Sequence, residues 1–231
     1  MANWLKNLFE KKETAALPDY WQRYLQTIAL QLPPATPISE AEFVVFDTET
    51  TGLDPKTDKV LSMGAVKVKG LQVLVQETFE TLVQQEVQLG NKSAEVHGIL
   101  PGDAQAGLPE QEALKAFLEF AGSAVLVGHH VKFDVEMLNQ IARRQGINDK
   151  LRNHTVDTAQ LAIRLERRHS SPETFSRADY SLDALVQKYN LPTEDRHTAS
   201  GDAFTTAILL LKLLALAQKR GIKTVGELVK G

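Results

Sequence analysis

Phe43 to Pro55 read F-V-V-F-D-T-E-T-T-G-L-D-P: an apolar run, two acids one residue apart, then a glycine turn. A short continuous apolar run is the pattern of a strand covered on both faces. Side chains two apart on a strand share a face, so Asp47 and Glu49 point the same way as Phe43 and Val45. A strand that runs through a core and ends in two carboxylates on one side needs something to offset their repulsion.

Working outward, Lys59 to Lys69 and Leu71 to Val83 alternate around Lys69-Gly70 and predict a hairpin. The apolar phase shifts near Gly64-Ala65, which predicts a bulge there. Helices are expected over Glu110 to Ala121 and Val131 to Gln145, with the strand Ala124 to Val127 between them. A short strand at Thr155-Val156 follows, then helices from Thr158, over Ser181 to Tyr189, and over Ala199 to Lys219. Three consecutive strands followed by alternating helices and strands indicate an α/β sandwich with a mixed sheet.

Upstream, residues 1–40 read as a helical N-terminal extension. Trp4, Leu5, Leu8 and Phe9 form one apolar face, a second helix follows Pro18, and the Pro-rich Leu32 to Pro37 is a semi-rigid linker. Packing on the main body is expected, and docking of a protein partner through residues 1–40 is the alternative. The expected division is therefore the extension, a catalytic domain over 41–220, and a short tail over 221–231 with room for one turn.

The 231 residues include no cysteine, which removes disulfides, thiolate nucleophiles and Cys-ligated zinc, and fits a cytoplasmic location. The first twelve residues lack the apolar run of a secretory signal. The apolar run from Ala207 to Ala217 is interrupted by Lys212 and reads as too short for a bilayer, so no membrane association is expected. A formal charge of −3 means that any polyanion must be held locally. Arginines do gather in the second half, at 143, 144, 164, 167, 168, 177 and 196, though a solvated helix face explains any one of them equally well.

Two more acids belong with the first pair. Asp134 lies on or beside the stripe Val131, Val135, Leu138 and Ile141, and Asp202 stands similarly to Leu209 and Leu213. Three elements thus aim carboxylates inward, and no set of arginines or lysines lies on the same stripes. Hard divalent cations would neutralise them, because oxygen-only ligand sets suit Mg²⁺ or Mn²⁺. Two ions about 3.5 to 4 Å apart stabilise both the attacking and the leaving oxygen of a phosphoryl displacement. His197, five residues before Asp202, falls in the loop leading into the last long helix and can approach from solvent as a proton acceptor. His129 ends the strand before Asp134 and is expected to line the cleft. Asp157 and Asp183, at helix starts, read as caps; Asp54 and Asp58 as turn residues; His154 as structural. Residues 167–177, including His169, read as a surface loop or a substrate guide.

F-D-T-E-T-T-G-L, G-H-H-V-K-F-D and H-T-A-S-G-D resemble the three motifs of the DEDDh group of 3′-to-5′ exonucleases, to which the proofreading epsilon subunit of bacterial DNA polymerase III belongs. The likeness runs from about Glu42 to Leu216 and takes in V-H-G-I, V-D-T and S-L-D-A-L, in order. It implies a ribonuclease H-like three-layer fold, with Asp47, Glu49, Asp134 and Asp202 holding two Mg²⁺ or Mn²⁺ ions and His197 as general base. It implies further that Thr50 touches the terminal nucleotide and that Val96 and His97 pack against its base. The implied substrate is a single-stranded or frayed 3′ end of DNA, released as nucleoside 5′-monophosphates in proofreading or repair, with RNA a close rival. His130 stands where relatives commonly carry asparagine, and the short tail predicts a stand-alone or differently partnered member of the group. An aspartyl phosphatase would leave Asp134 and His197 unexplained, and a non-catalytic binding module is expected to have lost a ligand.

Overall fold

A computed structural model describes residues 16–86, 97–166 and 176–230. The expected helix around Trp4, the residue Val96 and most of the 167–177 segment lie outside the described residues. The sheet contains β1 (Glu42–Thr50), β2 (Val60–Lys69), β3 (Gln72–Leu82), β4 (Val125–Gly128) and β5 (Thr155–Asp157). Their order is β3-β2-β1-β4-β5. β1 pairs antiparallel with β2 and parallel with β4, so the sheet is mixed.

The strand that carries the two acids is central, and its alternation divides it between two cores. Phe43 and Val45 pack in one buried cluster, with Leu161, Leu185 and Leu210. Val44 and Phe46 pack in the other, with Phe117, Leu138 and Ile141. The helices sort accordingly. α3 (Glu110–Ala121) and α4 (Lys132–Arg144) cover one face, while α5 (Thr158–Glu166), α6 (Leu182–Tyr189) and α7 (Ala199–Lys219) cover the other. The result is the expected three-layer α/β fold.

The hairpin forms as expected. Gly70 and Leu71 both have positive φ, 57° and 59°, the conformation that lets a two-residue turn follow the right-handed twist of its strands. The bulge is displaced, however. β2 keeps continuous register with β1 through Gly64 and Ala65, and the irregularity with β3 falls between Val66 and Lys67. The apolar phase shift has another cause: β2 is buried on both faces, so its apolar residues need not alternate.

α1 (Asp19–Ile28) presents Tyr20, Trp21, Tyr24 and Ile28 to the main body. Trp21 is wholly buried, and the Tyr24 hydroxyl donates to Asn153 Oδ1 at 2.9 Å. The linker is pinned as well: Ile38 N–H donates to the Lys223 carbonyl, and Val225 N–H to that of Thr36. α2 (Pro101–Gln105) is a single turn, and α8 (Val225–Val229) is the one turn expected of the tail. One expectation changes: α7 is 21 residues long and contains an 18-residue window of mean hydropathy 1.5, long and apolar enough by composition to cross a membrane. Its apolar residues, from Ala207 to Leu214, are instead spent on the core against β1 and β2.

Candidate active site

β1 delivers Asp47 and Glu49 to the face of the sheet covered by α7. α7 begins at Ala199 after the N-cap Thr198, whose hydroxyl accepts from Gly201 N–H at 3.0 Å. Asp202 is therefore held in its first turn, with its N–H on the Thr198 carbonyl. One carboxylate oxygen from each of Asp47, Glu49 and Asp202 lies within 4.8 Å of the others. Gly64 makes this approach possible. It pairs with Asp47 across the sheet, and a Cβ on it would lie 2.5 Å from the Ala199 carbonyl oxygen. The missing side chain is the space into which the end of α7 fits.

Asp134 reaches the same strand end from the opposite layer. It is 4% exposed in the first turn of α4, and its Oδ1 accepts from the Thr48 hydroxyl at 2.7 Å and the Thr48 N–H at 3.2 Å. Thr48 alternates away from Asp47 and Glu49, so one strand end orders acids on both sides. Asp134 is not one of the three residues whose oxygens converge within 4.8 Å, yet its charge acts on both neighbours. Burial, then Asp134, push Glu49 up to about 7. Burial pushes Asp134 itself to about 7, against the opposing hydrogen bonds from Thr48. Asp47 is raised well above the usual carboxylate range by burial and then by Asp134 and Glu49. These groups favour protons or cations in place of bare negative charge.

The acid-bearing stripes carry no expected cation, and a loop supplies one. Arg196 Nη1 pairs with Asp202 Oδ1, and its Nη2 pairs with Asp183 Oδ1. The expected capping role of Asp183 is thereby corrected: the Ser181 hydroxyl caps α6, and the Asp183 carboxylate holds Arg196. The available signal was the place of Arg196 immediately before His197. Asp157 does cap, accepting from Ala159 and Gln160 N–H at 3.0 and 3.2 Å.

His197 occupies the predicted loop, exposed, with φ 66°. Its N–H approaches Asp202 Oδ1 at 3.4 Å, so the backbone of His197 is tied to the acid cluster while the ring faces solvent. Thr50 is buried and its hydroxyl donates to the Gly52 carbonyl at 2.7 Å, closing the turn after Glu49. His97 is buried beside it and accepts from Ile99 N–H on Nδ1 at 3.1 Å; burial lowers its pKa. His129 Nδ1 meets the Thr158 hydroxyl at 3.0 Å, and burial, then the His130 charge, lower it to about 4. His130 has φ 63°, in the left-handed region that histidine and asparagine tolerate better than most residues with a side chain.

The four acids offer oxygen atoms only, from rigid elements, and the surroundings of Asp47, Glu49 and Asp134 disfavour ionisation. That donor set fits hard divalent cations. The pattern of the Exonuclease family matches residues 44–210, which takes in all four acids and His197. A DNA polymerase III PolC-type protein from Caldanaerobacter subterraneus subsp. tengcongensis is 35% identical over 189 residues, 82% of this chain and 13% of the relative. A DNA polymerase III subunit epsilon-like protein from Rhodobacter capsulatus is 35% identical over 198 residues, 84% of this chain and 27% of the relative. The chain thus spans a small part of the length of these relatives. Among solved structures, exonuclease X in complex with 5′ overhanging duplex DNA superposes with TM-score 0.60 at 20% identity, covering 83% of this chain and 99% of that one. E. coli exonuclease I with a dT13 oligonucleotide gives 0.63 at 18% identity, covering 79% and 43%. With the family pattern matched over residues 44–210 and the fold shared with these structures, the chain belongs to the Exonuclease family.

Proposed function

We propose that this chain is a metal-dependent 3′-to-5′ exonuclease that releases nucleoside 5′-monophosphates from DNA, its exonuclease domain spanning residues 41–220. The observation that carries the reading is the convergence of Asp47, Glu49 and Asp202 oxygens within 4.8 Å, with buried Asp134 at the same strand end. Asp47, Glu49, Asp134 and Asp202 would hold two Mg²⁺ or Mn²⁺ ions, which when bound supply the positive charge that phosphodiester cleavage requires.

The chain's own residues supply position and a proton acceptor. β1 and α7 fix three carboxylates from rigid elements, and Thr48 orients the fourth. The exposed ring of His197 accepts the proton of the attacking water, near the Asp202 carboxylate that its backbone approaches. The Thr50 turn and the His97 ring form the wall beside Glu49, where the terminal nucleotide is held. DNA is preferred over RNA as substrate because the similar proteins are named DNA polymerases and two of the similar structures hold DNA.

The assignment is tested with purified Asp134→Ala and His197→Ala. Each is expected to lose at least about a hundredfold in Mg²⁺-dependent digestion of single-stranded DNA. Circular dichroism should show the folded spectrum retained. Near-normal turnover in both variants would end the assignment.

A further inference from the structure

We propose that Arg196 is a positioning residue that competes with divalent cations for Asp202, holding the acid cluster together until a cation takes its place. The inference rests on the metal-site reading above. The Arg196 side chain is 12% exposed and Asp202 13%, whereas Asp183 is 65% exposed. One guanidinium therefore joins an inner carboxylate to an outer one. Its planar fork suits two partners at once, which an ammonium group does not.

The competition follows from the atoms. Asp202 Oδ1 already forms an ion pair with Arg196 Nη1 and accepts from the His197 N–H, so a cation that ligates through this oxygen must displace the guanidinium. The Arg196 charge also acts on Asp47 and Glu49, and in both cases it favours the ionised carboxylate. It is thus the protein's own counter-charge for the same acids that a divalent cation would serve. Asp183 gives the displaced guanidinium somewhere to remain, at the rim of the cleft.

The loop carrying Arg196 is built as a distinct conformation. Asp195 and His197, on either side, have φ 57° and 66°, a region disfavoured for residues with a side chain. Gly201 lets this loop fold onto α7, since a Cβ there would lie 2.5 Å from the Asp195 carbonyl carbon. Arg196 and His197 are adjacent, so the release of one and the orientation of the other are coupled through a single peptide unit.

The test is Mn²⁺ binding to the full chain, without nucleic acid, by electron paramagnetic resonance of free Mn²⁺. Arg196→Gln is expected to bind Mn²⁺ about tenfold more tightly than wild type, because the competing charge is gone. Arg196→Lys, which keeps the charge but cannot hold both carboxylates at once, is expected to bind Mn²⁺ more weakly than Arg196→Gln. Asp183→Asn, at an exposed site that does not threaten folding, is expected to bind Mn²⁺ several-fold more weakly, because the displaced guanidinium loses its second partner. Melting in EDTA should show Arg196→Gln less stable than wild type, a deficit that Mn²⁺ removes. Equal or weaker Mn²⁺ binding by Arg196→Gln, or unchanged binding by Asp183→Asn, overturns the competition and leaves the metal site standing. Absence of Mn²⁺ binding by wild type and variants alike overturns both.

Discussion

Replacing Gly64 by alanine puts a methyl group where the end of α7 already lies. The new Cβ would be 2.5 Å from the Ala199 carbonyl oxygen, whereas ordinary contact begins at 3.4 Å. The two backbones must separate by about 1 Å to accept it. Neither can yield alone, because β2 is paired on both sides and α7 is a continuous helix packed in the core. Overpacking of this kind costs about 1 to 3 kcal/mol, and backbone on both sides places Gly64→Ala at the upper end, about 3 kcal/mol. The same displacement carries Asp202 away from Asp47 and Glu49. A misplacement of about 1 Å in a reacting constellation costs about a hundredfold in rate. Urea unfolding followed by circular dichroism measures the first effect, and digestion of a 5′-labelled oligonucleotide the second. A variant within about 0.5 kcal/mol and about twofold of wild type would refute the reasoning that Gly64 sets the approach of α7.

Two further outcomes follow from groups around the site. Thr48→Val removes the hydroxyl that donates to buried Asp134 and should destabilise the protein by about 1.5 to 3 kcal/mol, read as a shift in urea midpoint at constant slope; an unchanged midpoint would contradict the bond's importance. His129 carries a pKa lowered to about 4 from 6.5, so the folded state keeps it neutral while the unfolded chain takes up a proton. Its stabilising contribution is full above pH 6.5 and is lost as pH falls toward 4, on the order of 3 kcal/mol at 1.36 kcal/mol per unit. The acids with raised pKa act with the opposite sign, so the difference between wild type and His129→Asn is the quantity to measure. It should shift in favour of the variant between pH 7 and pH 4.5, and a pH-independent difference would contradict the burial of a neutral His129.

The parts of the site that were legible in the sequence are those governed by local periodicity. F-V-V-F fixed the central strand, the spacing of Asp47 and Glu49 placed both on one face, and the stripe through Val135 and Leu138 turned Asp134 inward. The turn at Gly70 and the cap at Asp157 follow from residue chemistry alone. What escaped depends on which elements meet. Gly64 reads as a bulge until α7 is seen to fill the space above it. Arg196 shares no stripe with any acid, because it arrives from a loop whose path is set by two left-handed residues and Gly201. Asp183 looks like a cap by position and becomes an anchor only once Arg196 reaches it. Thr48 has no signal of its own, since its partner comes from a helix 86 residues away in sequence.

The central claim is that these carboxylates form a cation-dependent site for removing nucleotides from a 3′ end. The most direct measurement is the product pattern from single-stranded DNA labelled at its 5′ end, in Mg²⁺, in Mn²⁺ and in EDTA, with wild type and Asp47→Asn in parallel. The account predicts a ladder of labelled fragments shortening one nucleotide at a time with either cation, and intact substrate in EDTA or with Asp47→Asn. Release of the label as mononucleotide at the start of digestion, internal cleavage, or equal degradation in EDTA would contradict it.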